Sequence, residues 1–183
     1  MKKRKFSICS LLLVFVLTLS MGCNNGANKN NSFSKDNTVI VQILSFNDLH
    51  GQFEEDEKNG GGIANLSAYL KKYQSENENT ITMSAGDQIG GSPVVTALKQ
   101  DQPTLEIMEK MNVDVVVTGN HEYDEGIDEL ARIVQGGTHA DGLEWKGSED
   151  LNWITANVVA KEDMMFGNKE IKKGEPILDP YIV

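Results

Sequence analysis

Thr38 to Gly51 reads T-V-I-V-Q-I-L-S-F-N-D-L-H-G, and this stretch decides the fold. Thr38 to Leu44 is β-branched and almost continuously apolar, which predicts a strand buried on both faces, as in a parallel sheet. The chain then turns polar at Asn47, Asp48 and His50 and stays polar and glycine-rich to Gly62. A buried strand that ends in Asp-x-His delivers two metal-type side chains to one end of a sheet.

The same arrangement recurs twice downstream. Ile63, Leu66, Leu70 and Tyr73 are spaced as one face of a helix. Thr80 to Met83 reads as a second strand and runs into Ala85-Gly86-Asp87. Ser92-Pro93 reads as an N-cap with proline at the first helical position, opening a short helix over Val94 to Lys99. A further helix opens at Gln102-Pro103 and runs through Met111. Val113 to Val117 is the third strand and leads into Gly119-Asn120-His121-Glu122-Tyr123-Asp124. A helix from Asp124 or Glu125 ends at Gly136-Gly137, a suitable C-cap. Trp153 to Val158 is a fourth strand, Gly167 to Pro176 a turn or hairpin, and Asp179 to Val183 reads as the start of another strand. Strands alternating with helices predict an α/β layered core with a mainly parallel sheet.

In such a sheet the loops at the carboxyl ends of the strands face one crevice. Asp48, His50, Asp87, Asn120 and His121 therefore belong to one constellation. Its donors are imidazole, carboxylate and amide without thiolate, which suits Mn, Fe, Co or Zn. Each cluster alone has a plain structural explanation. D-x-H can be a solvated loop, Asp87 a turn residue, and Asp124 a helix N-cap. Three such clusters at three strand ends leave that explanation poor. His139 lies in a polar glycine-rich loop and reads as surface decoration.

The order D-x-H, G-D, G-N-H-E-x-D resembles the calcineurin-like metallophosphoesterase superfamily. Phe46 to Gly51, Gly60 to Ala64, Ser84 to Asp87, Gly91-Ser92-Pro93 and Gly119 to Asp124 are similar to the bacterial 5'-nucleotidase and 2',3'-cyclic phosphodiesterase branch. Tyr123 stands where Phe is commoner, and Asn65 where Arg is often found. The resemblance covers the chain from Thr38 onward. It implies two divalent metal ions: Asp48 and His50 on the first, Asp87 bridging both, Asn120 on the second. It implies that His121 sits beside the phosphate without binding metal and that Asp124 orients its ring. The substrate implied is a nucleotide or related small phosphate ester. The branch completes its second metal with a Gly-His and a His-x-His pair and carries a base-binding domain. Neither pair occurs in this sequence, whose histidines are His50, His121 and His139. The expectation is the N-terminal part of an incomplete phosphoesterase domain that is inactive alone. A truncated, non-catalytic surface lipoprotein with a partial metal site is the alternative.

Composition bounds the rest. The 183 residues are 39% hydrophobic, enough for one core, and carry a net charge of -10. So acidic a chain has no basic stripe for a nucleic-acid polymer. Lys2, Lys3, Arg4 and Lys5 precede an apolar run over Ile8 to Leu19, which reads as a signal peptide over 1–22. Ser20-Met21-Gly22-Cys23 resembles a lipobox, with Cys23 the lipidated residue and 23–36 a flexible, Asn-rich tether. An ordinary cleaved signal, leaving the protein periplasmic or secreted, is the other reading. The domain runs over 37–183. Removing the leader also removes Cys9, so Cys23 has no internal disulfide partner. The expected location is the outer face of the cell membrane, held by a lipid anchor.

Overall fold

A computed structural model of the chain describes residues 38–55 and 60–182. Residues 1–22, read above as a signal peptide, Cys23, and the segment read as a tether lie outside the described residues. Among the described residues, no helix is long and apolar enough to cross a membrane.

The centre is a four-stranded parallel sheet of β1 (Gln42–Phe46), β2 (Thr80–Ser84), β3 (Val115–Val117) and β6 (Trp153–Ile154), in that spatial order. Phe46 pairs with Ser84, Ser84 with Val116, and Val116 with Trp153. Helices fill the crossovers: α1 (Gly62–Glu76) between β1 and β2, and α2 (Val94–Ala97) and α3 (Gln102–Lys110) between β2 and β3. After β3 come a 3-10 turn (His121–Tyr123), α4 (Ile127–Gln135), and a hairpin of β4 (Gly137–Thr138) and β5 (Glu144–Trp145). A second hairpin, β7 (Met164–Phe166) and β8 (Lys169–Ile171), follows β6. Its turn is Gly167-Asn168, with Gly167 at φ +58, the left-handed conformation a two-residue hairpin needs. The expected α/β core with a mainly parallel sheet is present, with small antiparallel hairpins beside it.

Leu105, Met108, Val116, Leu130 and Leu151 are completely buried and define the core. Each such side chain contributes about 1.5–3 kcal/mol by leaving water. They come from α3, β3, α4 and the turn before β6, so the core clamps β3, the strand that carries the longest of the three polar clusters. Gln74 Nε2 ties α1 to the sheet, donating to Thr82 Oγ1 at 2.8 Å and to Met111 O at 2.9 Å.

Several sequence expectations need correction. The first strand begins at Gln42 and is not buried on both faces: its residues alternate, and Ile43 is 64% exposed. The reason is that one face of the sheet is left open here, since Ile81, the register partner of Ile43 on the inner strand β2, is 41% exposed as well. Ser92 does not cap α2; Pro93 occupies that place and no side-chain cap bond forms. The helix expected from Asp124 or Glu125 starts at Ile127, because the 3-10 turn takes the preceding residues and Gly126 (φ +91) separates the two. Asp124 is accordingly no cap of α4. The predicted C-cap holds: Gly136 has φ +87 and donates its N–H to Arg132 O at 2.8 Å. Asp179 to Ile182 forms no strand; Pro180 has no N–H to give a ladder there.

Candidate functional site

Because the strands are parallel, the segments leaving β1, β2 and β3 emerge at one end of the sheet. They are bonded to one another there through backbone groups. Asp48 N–H donates to Gly86 O at 3.0 Å, His50 N–H to Asp87 O at 3.1 Å, and Gly51 N–H to Gln88 O at 3.0 Å. This zipper holds three non-glycine residues at positive φ: Asp48 at 54°, His50 at 47° and Asp87 at 56°. Such conformations are disfavoured, though Asp and His tolerate them better than most residues, and they persist where surrounding bonds over-determine them.

The third segment is fixed by Glu122, which is almost fully buried. Its carboxylate accepts the N–H groups of Gln88 at 2.7 Å, Gly119 at 2.6 Å and Asp87 at 3.0 Å. One side chain thus joins the loop after β2 to the loop after β3. Asp87 returns the bond, its Oδ1 accepting His121 N–H at 3.0 Å. Thr118 Oγ1 and the Tyr123 hydroxyl lie 2.9 Å apart and pin the turn, which accounts for a phenol at position 123.

The rings of His50 and His121 meet edge to face, centroids 4.7 Å apart. His50 Nδ1 is 2.8 Å from Gly90 O, and His50 Nε2 is 3.9 Å from Asp48 Oδ1. Asp48 also accepts a bond from Asn47 Nδ2. His50, Asp87 and His121 each offer one donor atom, and these three atoms lie within 4.8 Å of one another. Asn120 is exposed at the head of the 3-10 turn, between Gly119 and His121, and its carbonyl accepts Tyr123 N–H at 3.2 Å. His121 Nδ1 lies 2.6 Å from Asp124 Oδ2. That hydrogen bond raises the His121 pKa above its usual 6.5, against partial desolvation; the charges of Asp124, Asp87 and Glu122 add to the rise. A cleft of about 110 Å3 opens beside this pair, lined also by Gly90, Gly91, Ser92 and Asp101.

Asp48, His50, Asp87, Asn120, His121 and Asp124 therefore all follow strands at one end of the sheet, with Asp48 outside the group of donor atoms that His50, Asp87 and His121 form, while Cys23 lies outside the described residues. His139 is not free surface decoration: its side chain is only 19% exposed, Nδ1 is 2.8 Å from Asp141 Oδ1, and Nε2 is 3.8 Å from Glu125 Oε2. Sequence reasoning gave no role to Glu122, although it stands inside the G-N-H-E-x-D cluster. It did not single out Asp101, whose only local sign is a polar residue just before a helix.

The sequence model of the calcineurin-like phosphoesterase family matches residues 41–176. Endonuclease YhcR of Bacillus subtilis is 38% identical over 154 residues, covering 78% of this chain and 12% of that protein. The 5'-nucleotidase of Vibrio vulnificus is 25% identical over 134 residues, covering 71% of this chain and 24% of that protein. The crystal structure of a 5'-nucleotidase precursor from Thermus thermophilus superposes with a TM-score of 0.51 at 20% identity, over 64% of this chain and 22% of that one, a likeness of fold. The chain thus spans less than a quarter of the length of each.

Proposed function

Because this chain belongs to the calcineurin-like phosphoesterase family, we propose that it supplies the first half of a two-metal site hydrolysing small nucleotide phosphate esters. The observation that carries the reading is that donor atoms of His50 and Asp87, from two strand ends, lie within 4.8 Å of each other with a His121 ring nitrogen equally close beside them.

The donor set fits divalent cations. An ionised carboxylate has about four lone-pair positions, so Asp87 can take the His121 N–H and still bridge two ions. Imidazole and carboxylate together suit Mn, Fe, Co or Zn. Asp48 and His50 would hold one ion, Asn120 the other, and Asp87 both. Bound there, the ions polarise phosphoryl oxygens and lower the pKa of water.

The remaining work falls to this chain's own groups. Asp124 Oδ2 can only accept, so His121 Nδ1 carries a proton and the ring is held in one orientation. The raised pKa keeps more of the ring charged near neutrality. His121 Nε2–H can then donate to the ester oxygen as the P–O bond breaks and water adds to phosphorus. The nucleotide substrate is supported by the 5'-nucleotidase relative. The net charge of -10 disfavours a polymer. Residues 1–22 and Cys23 support export with a lipid anchor.

The test uses residues 24–183 beside a version extended through a Gly-His and a His-x-His pair. Both are assayed with Mn2+ or Zn2+ on AMP, 2',3'-cyclic AMP and duplex DNA. Expected is metal-dependent release from the nucleotides, weak in the short form, because Asp87 and Asn120 alone hold a second ion poorly. Faster cleavage of DNA, or no metal binding in either form, would overturn the reading; metal binding without turnover in both would favour the non-catalytic lipoprotein.

A further inference from the structure

We propose that Asp101 is a positioning residue for His50, fixing the ring with its proton on Nδ1 and its lone pair on Nε2. Asp101 lies fifty-one positions further along the chain, at the head of α3, outside every cluster that points to the site.

The connection is two bonds long. Asp101 Oδ2 accepts the N–H of Gly90 at 3.1 Å. The carbonyl of the same residue, Gly90, stands 2.8 Å from His50 Nδ1. A carbonyl oxygen only accepts, so Nδ1 must be the protonated nitrogen, which leaves Nε2 free to coordinate. The tautomer of a metal-binding histidine is set in this way by the partner of its other nitrogen.

Asp101 is built to hold Gly90 firmly. Its backbone is in the left-handed region, φ 55°, anchored by its N–H to Thr96 O at 3.1 Å and by its carbonyl accepting Thr104 N–H at 2.9 Å. Its other carboxylate oxygen packs on Gly51, where an added Cβ would sit 3.1 Å from Oδ1. The side chain is therefore wedged between Gly90 and Gly51, one residue touching the ring's acceptor and the other following the ring in sequence. Gly90 has little room to find another position: a Cβ there would lie 2.6 Å from His121 O and 3.0 Å from Asp124 Oδ2. Gly90, whose carbonyl is the His50 acceptor, is thus packed on the His121 turn, while the peptide N–H just before its Cα is bonded to Asp101.

The inference concerns the ring itself; only its consequence, tighter metal binding, rests on the function proposed above. The experiment is a long-range 1H–15N correlation spectrum of the metal-free 183-residue chain, taken at about pH 9 where histidine is neutral. The three histidines are assigned with His121→Gln and His139→Gln. Wild-type His50 should be in the Nδ1–H form. Asp101→Gly is the variant of choice because glycine keeps the left-handed backbone without strain, whereas alanine would confound the result. It should lower the ratio of Nδ1–H to Nε2–H forms of His50 by about three- to tenfold, the worth of the His50–Gly90 bond that Asp101 no longer holds in place. Asp101→Asn keeps an acceptor and a residue tolerant of this φ, and should restore the wild-type ratio. Zn2+ affinity measured by calorimetry should follow the same order.

An unchanged tautomer in folded Asp101→Gly overturns the proposal, and so does a wild-type His50 in the Nε2–H form, which settles the matter even if that variant fails to fold. A shifted tautomer with no Zn2+ binding in the wild type would uphold the role of Asp101 and refute the metal reading instead.

Discussion

Gly119 lies flat against Asp87: a Cβ added to Gly119 would overlap Asp87 Oδ1 and come within 2.7 Å of its amide nitrogen. The two loops that carry the site are thus in backbone contact at the point where a carboxylate must face outward. Glycine serves Gly119 by lacking a side chain.

Gly119→Ala should therefore push Asp87 out of place. Overpacking of this kind costs about 1–3 kcal/mol of stability. Divalent-metal affinity should fall with it, since Asp87 is the residue displaced. Urea unfolding and Mn2+ titration of the same sample check both. An alanine variant with wild-type stability and affinity would mean that the contact is not held in solution.

Glu122→Gln replaces one acceptor oxygen with an N–H2 group that faces backbone donors. Three N–H groups converge on this buried carboxylate. The variant should lose about 2–3 kcal/mol, the scale of hydrogen bonds to a charged group left unmade. Chemical denaturation measures it. A change below about 0.5 kcal/mol, the ordinary range for surface substitutions, would show that the three bonds are not jointly made.

How far the sequence reveals this arrangement depends on the range of the interaction. β2 and α1 announce themselves because their patterns are local: Leu66 and Leu70 recur at helical spacing, and Thr80 to Ser84 is bounded by turns. Asp48, His50, Asp87 and His121 are legible because each follows a strand, and parallel strands bring their ends together. The exposure of Ile43 is not legible, since an apolar run reads the same whether or not another element covers its face, and its inner-strand partner Ile81 is exposed too. The contacts of Glu122 and Asp101 are also hidden. Both act through backbone N–H groups, at Gly119 and Gly90, which leave no mark in side-chain chemistry. The start of α4 is hidden for a related reason: the Asn120 to Asp124 turn is shaped by Thr118 and Glu122, not by helix propensity.

Metal linkage gives a third prediction. A ligand at 100 times its dissociation constant stabilises the folded state by about 2.7 kcal/mol. Mn2+ or Zn2+ should therefore raise the melting temperature of residues 24–183, and a chelator should reverse the rise. Asp87→Asn should abolish the shift, while Glu144→Gln, at the exposed position of β5, should leave it intact. Equal shifts in all three proteins would indicate binding elsewhere on this acidic chain.

The contact between His121 and Asp124 makes a prediction whose sign is fixed. The His121 pKa is raised above 6.5, chiefly by the hydrogen bond to Asp124 and then by nearby negative charges, with desolvation opposing. A group whose folded pKa exceeds its unfolded value stabilises the folded state by favouring the protonated ring. That contribution is present in full below 6.5 and is lost as pH rises through the folded value. Asp124→Asn keeps an acceptor but removes the charge, so the His121 midpoint should fall back toward 6.5. The loss of stability with rising pH across that window should flatten. Both side chains are partly exposed, 34% and 44%, so added salt should reduce the wild-type shift as well. NMR titration of the metal-free protein reads the midpoint directly, and melts across the same window read the linkage. If the midpoint in Asp124→Asn equals that of the wild type, the 2.6 Å contact does not persist in solution and Asp124 has no part in holding the proton on His121.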